Sequence, residues 1–182
     1  MSKSVLVPIA NGTEEIEAVA IIDVLRRAGA DVTVASVDDL QVTASRGVRL
    51  QADCLIADCR LETYDLIALP GGMPGAERLR DCEALQTLLR QQQSGGRLYA
   101  AICASPAVVL EHHGLIGGRR ATCHPAFVSR LHNAQAAEAR VVVDGNCITS
   151  RAPGTALEFA LQLVTLLYGQ EKAQEVAEPM LV

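Results

Sequence analysis

Two kinds of hydrophobic pattern alternate along the chain. Short runs of consecutive apolar residues predict buried strands, and longer segments with apolar residues at every third or fourth position predict helices. The predicted strands cover residues 4–9, 31–37, 64–69, 98–102, 119–123 and 141–148. The predicted helices are a first one that ends near residue 28, and others over 76–93, 107–112, 155–167 and 171–177. This alternation predicts an α/β fold, with helices on both faces of a mostly parallel sheet.

The first helix has clear boundary signals. Asn11 and Glu14 have the spacing of a capping box, and Gly29 is a typical C-terminal stop. An apolar stripe is expected to turn toward the core, and it consists of Ile16, Val19, Ala20 and Val24.

The segment 38–62 is the least regular part of the chain. It contains two short strand-like runs, 48–50 and 54–56, within polar sequence. We expect it to be a small excursion at an edge or an interface. Elsewhere there is no linker, repeat or low-complexity tract, so residues 1–182 are expected to form a single domain.

The composition fits this architecture. Hydrophobic residues make up 49% of the 182 residues, but aromatic residues only 3%, and there is no Trp. The core must therefore be built mainly from aliphatic side chains, which suits parallel strands covered on both faces.

Charge and cysteine usage exclude several function classes. The net charge of −5 gives no electrostatic footprint for tight nucleic-acid binding. No run approaches the length of a membrane span or a signal peptide, so a cytoplasmic protein is expected. The six cysteines should then be reduced thiols, and because there is neither a C-x-x-C pair nor zinc-ligand spacing of the histidines, no metal site is expected.

Unusual residues follow three of the predicted strands. These segments are 11–17, 70–72 and 103–105. Open α/β sheets bind ligands beyond the carboxyl ends of their strands, so we expect the three segments to meet in one site.

Cys103 is the candidate nucleophile at this edge. It lies between an apolar strand and the start of a helix, where Pro106 occupies the first turn. Free N–H groups at a helix N-terminus lower a thiol pKa, which would make the thiolate available near neutral pH. A buried structural cysteine is the competing interpretation, and position alone leaves the two balanced.

Gly71 and Gly72 directly follow a strand. A double glycine is often only a turn, but it also permits close backbone approach to a reacting group. The N–H groups of Gly72 and Ala104 would then form an oxyanion hole beside Cys103.

Two further residues are candidate proton carriers. Glu17 adjoins the apolar side of the first helix, so burial should raise its carboxyl pKa and let it donate to a thiolate, whereas Glu14 and Glu15 suit a helix N-terminus for electrostatic reasons alone. His124 follows a strand and is a possible base for Cys103, although a lone histidine is more often a satisfied structural residue.

Four motifs, in order along the whole chain, resemble those of the DJ-one/ThiJ/PfpI superfamily, most closely its YajL-type bacterial branch. They are GTEEIE at 12–17, LPGG at 69–72, AAICA at 100–104 and TSRAPGT at 149–155. The resemblance implies a flavodoxin-like three-layer sandwich and a homodimer. It also implies that Cys103 is a readily oxidised nucleophile, with Glu17 as its hydrogen-bonded acid partner and no cofactor.

The resemblance further implies chemistry on methylglyoxal, glyoxal or their early adducts with proteins and nucleotides. Members of the branch are described as glyoxalases or deglycases, and chaperone and oxidative-stress roles are also attributed to the family. Protease-like members carry His directly after the nucleophile, where this chain has Ala104, so a peptidase is disfavoured. The extra oxidisable cysteines of animal relatives correspond to Ala44 and Gln51.

Arg46 matches the family, in a loop that in relatives lies at the dimer interface near the active site; a solvated loop arginine is the alternative. The leading hypothesis is therefore an enzyme of 2-oxoaldehydes, in which Gly71, Gly72, Ala104, Glu14 and Arg46 bind the substrate. A redox sensor or chaperone that uses oxidised Cys103 is the second hypothesis. An FMN-binding protein is a distant third, because glutamates after residue 13 would repel phosphate.

Overall fold

A computed structural model describes residues 2–182. Seven strands form one sheet and two form a hairpin beside it. In chain order the strands are β1 (Ser4–Ile9), β2 (Asp31–Ser36), β3 (Gln41–Thr43), β4 (Arg49–Gln51), β5 (Cys54–Leu55), β6 (Leu66–Leu69), β7 (Leu98–Ile102), β8 (Val141–Asp144) and β9 (Cys147–Ser150). The large sheet has the order β5-β2-β1-β6-β7-β9-β8, and β3 pairs with β4. Only β8 runs antiparallel within the large sheet, so the fold is the predicted mostly parallel α/β type.

Helices connect the strands on both faces. They are α1 (Glu15–Arg27), α2 (Gly75–Asp81), α3 (Glu83–Ser94), α4 (Ala156–Tyr168) and α5 (Gln170–Met180), with short helical turns at Ile56–Cys59, Pro106–Glu111, Pro125–Arg130 and Pro153–Thr155. α4 packs against α1 and α5, whereas α2 packs against α3 and the turn Pro106–Glu111. Along the chain, β2 is added on one side of β1, and β6 and β7 are added on the other side. Because the crossover connections are right-handed, the group of α1, α4 and α5 lies on one face of the sheet and the group of α2 and α3 on the other. Within 2–182 no helix is long and apolar enough to cross a membrane.

The core is mainly aliphatic, as the composition predicts. The central strands β1, β6 and β7 are almost completely inaccessible to solvent. The largest fully buried side chains are Tyr99 and Phe159, and the others in that group are leucines and isoleucines.

The predicted core stripe of α1 is partly wrong. Ile16 and Val19 are 58% and 49% exposed, whereas Val24 is buried as predicted. The helix turns a neighbouring stripe toward the sheet and α4, which includes Ala18 and Ile21. Since α1 has apolar residues on more than one side, periodicity alone does not decide which side is covered.

Three other predicted elements differ from the structure. The helix predicted over 76–93 is two helices, because Cys82 between them has extended backbone angles. The strand predicted over 141–148 is the hairpin β8–β9, which turns at Gly145 with a φ of 61°. The excursion at 38–62 contains β3 as well as the two short strands expected there.

No strand forms over 119–123. The backbone there is irregular because its hydrogen bonds go to isolated partners and not to a neighbouring strand. The amide of Thr122 donates to the side-chain Oγ1 of Thr149, and the amide of His124 donates to the carbonyl of Cys103. The segment is therefore fastened across the carboxyl ends of β7 and β9.

Candidate active site

Cys103 lies on a sharp turn between β7 and the helical turn Pro106–Glu111. Its φ of 66° is left-handed, a conformation that costs a residue with a side chain about 1–2 kcal/mol. Two backbone hydrogen bonds hold it: its amide donates to Ser150 O at 3.1 Å, and its carbonyl accepts from His124 N at 2.7 Å. The residue is buried, with 8% of its surface exposed, and it lines a pocket.

The double glycine after β6 passes directly beside Cys103. A Cβ on Gly71 would lie 2.6 Å from the Cβ of Cys103, and Gly72 has a φ of 89° and faces the backbone of residues 12–14. Both positions therefore exclude a side chain, as expected for close backbone approach. The amides of Gly72 and Ala104 lie near the sulfur of Cys103 and lower its pKa, so these two donors are directed at the nucleophile itself.

Glu17 lies behind this turn and has no solvent exposure. Its Oε2 accepts from the amide of Gly71 at 2.8 Å. Burial raises the pKa of this carboxyl to about 7, although the hydrogen bond from the Gly71 amide and the nearby thiol of Cys103 lower it. Its other oxygen, Oε1, has no partner with ordinary hydrogen-bond geometry within 2–182. The buried acid predicted from the sequence is therefore present.

The expected low pKa of Cys103 is not found. Burial and the adjacent negative charge of Glu17 raise the pKa of the thiol to about 12, and the two amides lower it only in part. The contacting carboxyl and thiol titrate as a pair, so the first proton leaves near pH 7 and the second only in strong alkali. Above pH 7 the pair keeps one proton and one negative charge, and the higher pKa of the thiol places that proton mainly on Cys103. The sulfur carries that charge when the proton is on Glu17.

The two preceding glutamates have different local roles. Glu14 is the N-cap of α1, and its Oε2 accepts from the amide of Glu17 at 2.8 Å. Glu15 is buried and accepts from Ser45 Oγ at 2.9 Å and from the amide of Arg46 at 2.8 Å. Burial acts to raise the pKa of Glu15, but these hydrogen bonds lower it overall. Glu15 thus fastens the β3–β4 turn beside the site, a role that no local sequence signal indicated because its partners are 30 residues away.

A pocket of about 470 Å³ opens above Cys103. Six of the eight residues predicted for the site line it, namely Glu14, Arg46, Gly72, Cys103, Ala104 and His124. The other two, Glu17 and Gly71, lie beneath the nucleophile. Ser45, Met73, Phe127 and Pro153 complete the lining and were not predicted. A larger concavity of about 700 Å³ between α4 and α5 has no cysteine or histidine in its lining.

His124 lines the pocket but its ring has structural contacts. Its Nδ1 accepts from the amide of Ala126 at 3.2 Å, which caps the turn Pro125–Arg130, and the ring packs edge-on against Phe127. Within 2–182 no hydrogen bond joins the ring to the sulfur of Cys103. The side chain that contacts the nucleophile is Glu17. No cluster of three or more metal-ligating side chains occurs in the described chain.

The chain is similar in sequence to proteins of one known family. The model of the DJ-1/PfpI family matches residues 3–166. Protein DJ-1 homolog A of Arabidopsis thaliana is 50% identical over an alignment of 184 positions. The alignment covers 100% of this chain and 47% of the plant protein, so the chain spans about half the length of that relative. Protein dj-1beta of Drosophila melanogaster is 45% identical, and the match covers 100% of this chain and 98% of the fly protein.

A solved structure described as Toxoplasma gondii DJ-1, oxidized, is 50% identical, has a TM-score of 0.95 and covers 99% of this chain and 98% of its own. A Caenorhabditis elegans protein named glutathione-independent glyoxalase DJR-1.2 is 37% identical, with 92% of this chain and 89% of the worm protein covered. The relatives at 45–50% identity in plant, fly and Toxoplasma do not single out the YajL-type bacterial branch that the sequence motifs favoured. The extent of these matches, together with the shared fold, shows that the chain belongs to the DJ-1/PfpI family.

Proposed function

We propose that this protein is a cofactor-independent cysteine enzyme that acts on methylglyoxal and glyoxal, or on their early adducts with amines and thiols. The observation that carries the proposal is the pair of Cys103 and Glu17 beneath a pocket, with the amides of Gly72 and Ala104 directed at the sulfur. A thiol, a proton carrier with a pKa of about 7 and two anion-stabilising donors are the groups that addition to an aldehyde requires. The glyoxalase name of the worm relative supports it.

The first step is addition to the aldehyde. The proton resides on Glu17, and the sulfur of Cys103 attacks the aldehyde carbon. The C=O electron pair moves to the oxygen, which takes the proton from Glu17. The product is a hemithioacetal, and Glu17 is left as a carboxylate beside the former aldehyde carbon.

The second step is an internal redox isomerisation. The Glu17 carboxylate removes the hydrogen of the first carbon and returns a proton to the neighbouring ketone carbon, while the hydroxyl proton moves from the first oxygen to the second. The first carbon is oxidised to a thioester and the second is reduced to an alcohol, so no external oxidant is needed. Water then breaks the C–S bond, releases a 2-hydroxy acid and regenerates the pair.

An adduct of the aldehyde with an amine can enter the same route. The sulfur of Cys103 then forms its bond to the carbon as the C–N bond breaks, and the amine leaves with the proton from Glu17. The pocket opens to solvent, which leaves room for the rest of a modified protein or nucleotide. Glu14 and Arg46 at its rim are the candidate groups for orienting the substrate.

The test is the formation of hydroxy acid from methylglyoxal and the release of amine from preformed adducts. Cys103→Ser should abolish both reactions. Glu17→Gln should lower them by about 10²–10⁴-fold, since it keeps the shape but removes the proton carrier. Cys82→Ser, which alters a half-buried cysteine between α2 and α3, is the matched control and should retain activity. A pure protein that converts neither substrate would contradict the proposal.

A redox sensor or chaperone is the second candidate. The Toxoplasma relative has been described in an oxidized form, and here Cys103 lines a pocket through which a small oxidant would reach its sulfur. In this case peroxide converts Cys103 to a sulfinic acid, and the oxidised form changes binding to other proteins. This candidate is favoured if the reduced protein has no activity and oxidation of Cys103 creates the ability to suppress aggregation of an unfolded client.

We also propose that the protein works as a homodimer, in the cytoplasm. Ile16, Val19 and Val48 form an apolar patch on α1 and the β3–β4 turn, and they are 58%, 49% and 49% exposed. Glu15 fastens this turn to α1, which makes the patch continuous with the rim of the pocket at Arg46.

Sedimentation tests the dimer. Val19→Glu should produce monomers, whereas Leu61→Glu should not, because Leu61 is 96% exposed on another part of the surface. A wild-type protein that sediments as a monomer would refute the assembly.

A further inference from the structure

A second pair of thiols lies at the far edge of the sheet. Cys54 is on the edge strand β5, and Cys59 ends the helical turn that follows it. Their Sγ atoms are 3.6 Å apart, so modest side-chain movement would bring them to the disulfide bond length of about 2.05 Å. We infer that Cys54 and Cys59 are a reversible redox site, which closes to an intramolecular disulfide when the protein meets a peroxide.

This pair is independent of the candidate active site. β5 lies four strands away from β7 in the sheet order, and neighbouring strands are about 4.8 Å apart, so Cys54 is roughly 19 Å from Cys103. Neither sulfur of the pair can reach the nucleophile. The inference therefore stands or fails separately from the proposed function.

The two thiols differ in accessibility. Cys54 is partly exposed, whereas Cys59 is 3% exposed and its thiol points to the carbonyl of Leu55 at 3.9 Å. Cys54 thus meets the oxidant and Cys59 resolves the product. Burial, the contact with Cys59 and the nearby charges of Asp58 and Asp53 raise the pKa of Cys54 to about 11. Because little thiolate is present at neutral pH, the pair reacts more slowly than an activated cysteine.

The chemistry balances with one peroxide. Cys54 loses its proton, its sulfur bonds to one peroxide oxygen, and the O–O bond breaks; the leaving hydroxide takes up that proton as water. Cys59 then attacks the sulfur of Cys54, the S–O bond breaks, and a second water leaves with the proton of Cys59. Two thiols and one peroxide become a disulfide and two waters. A dithiol reductant reverses the reaction by exchange.

The disulfide would restrain the edge of the sheet. β5 is only two residues long and pairs with β2 through Ala35 and Ser36. Two hydrogen bonds also join Asp53 to Val34: the amide of Asp53 donates to the carbonyl of Val34, and the amide of Val34 donates to Oδ2 of Asp53. A covalent link from β5 to the following turn would hold this short edge in place under oxidising conditions.

Peptide mapping of the full-length protein tests the inference. Cys54 and Cys59 are the only cysteines of the tryptic peptide 50–60, and Cys82 is the only cysteine of peptide 81–90. Protein is treated with hydrogen peroxide until Cys82 is consumed, and the remaining thiols are blocked with iodoacetamide. We expect peptide 50–60 to carry no alkyl group and to be lighter by two hydrogen atoms than the reduced peptide. Treatment with dithiothreitol before alkylation should restore double alkylation.

Single variants identify the bond. Cys59→Ser and Cys54→Ser should each abolish the internal disulfide, and non-reducing gels should show that the wild-type product is a single chain. The inference is overturned if peptide 50–60 remains doubly alkylated after Cys82 has been consumed. It is equally overturned if Cys54 proceeds to sulfinic acid or joins a second chain while Cys59 remains free.

Discussion

Replacing Glu17 by glutamine should stabilise the protein at alkaline pH while removing its activity. The native state raises the pKa of Glu17 from 4.5 to about 7 by burial. A raised pKa means that folding favours the protonated acid, so stability is greatest below the unfolded pKa and is lost as the pH rises from 4.5 through 7. The side-chain amide of the Glu17→Gln variant would keep an oxygen to accept from the backbone amide of Gly71, but it has no acidic proton to lose.

The magnitude follows from the two pKa values. Ionisation of Glu17 costs about 1 kcal/mol of the free energy of unfolding at pH 5 and about 3 kcal/mol at pH 8. The difference in stability between Glu17→Gln and wild type should therefore shift by about 2 kcal/mol in favour of the variant between these pH values.

Urea denaturation at pH 5 and pH 8 measures this shift. Glu171→Gln, at an exposed position on α5, is the control and should show no comparable change. The reasoning is refuted if the difference between Glu17→Gln and wild type is the same at both pH values. A shift of opposite sign would mean that the native state prefers the Glu17 carboxylate.

Three further substitutions have distinct expected outcomes. Glu15→Gln should destabilise the protein more at pH 8 than at pH 4, since the pKa of Glu15 is lowered and its favourable contribution disappears as the acid is protonated. Gly71→Ala should lower stability by about 1–3 kcal/mol and abolish activity, because the added Cβ would lie 2.6 Å from the Cβ of Cys103. Gly154→Ala is the control, since Gly154 has open space around it. Equal urea midpoints for the two variants would contradict the crowding at Gly71. His124→Ala should lower the free energy of unfolding by about 1 kcal/mol, because the turn Pro125–Arg130 loses its N-cap side chain. The rate of Cys103 alkylation should stay nearly unchanged, and a large drop in that rate would indicate that His124 acts as a base for Cys103.

Sequence patterns predicted the parts of the fold that depend on short-range signals. The strand 98–102 was predicted with its observed bounds because it is a run of five apolar residues, four of which are buried in the middle of the sheet. The strand at 119–123 was wrong because an apolar run does not reveal whether a neighbouring strand is available to pair with it. The exposure of Ile16 and Val19 was missed because helix periodicity does not specify which side of the helix the sheet will cover.

The candidate site was predictable where backbone position fixes the chemistry. Cys103, Gly72 and Glu17 meet because the carboxyl ends of neighbouring parallel strands lie at one edge. The thiol pKa was not predictable, since it depends on how closely a carboxylate from a distant helix approaches the sulfur. The anchoring role of Glu15 depends likewise on a loop 30 residues away.

The central claim is that Cys103 and Glu17 share one proton above pH 7. The rate of Cys103 alkylation by iodoacetamide as a function of pH tests it directly in wild type and Glu17→Gln. We predict a rise through about pH 7 in wild type, where the pair loses its first proton, and a shift of that rise to higher pH in the variant, which has no acid to take the proton. The account would be contradicted if the wild-type rate rose near pH 8.5, the pKa of about 8.5 that free cysteine has in model peptides, and if Glu17→Gln had the same profile.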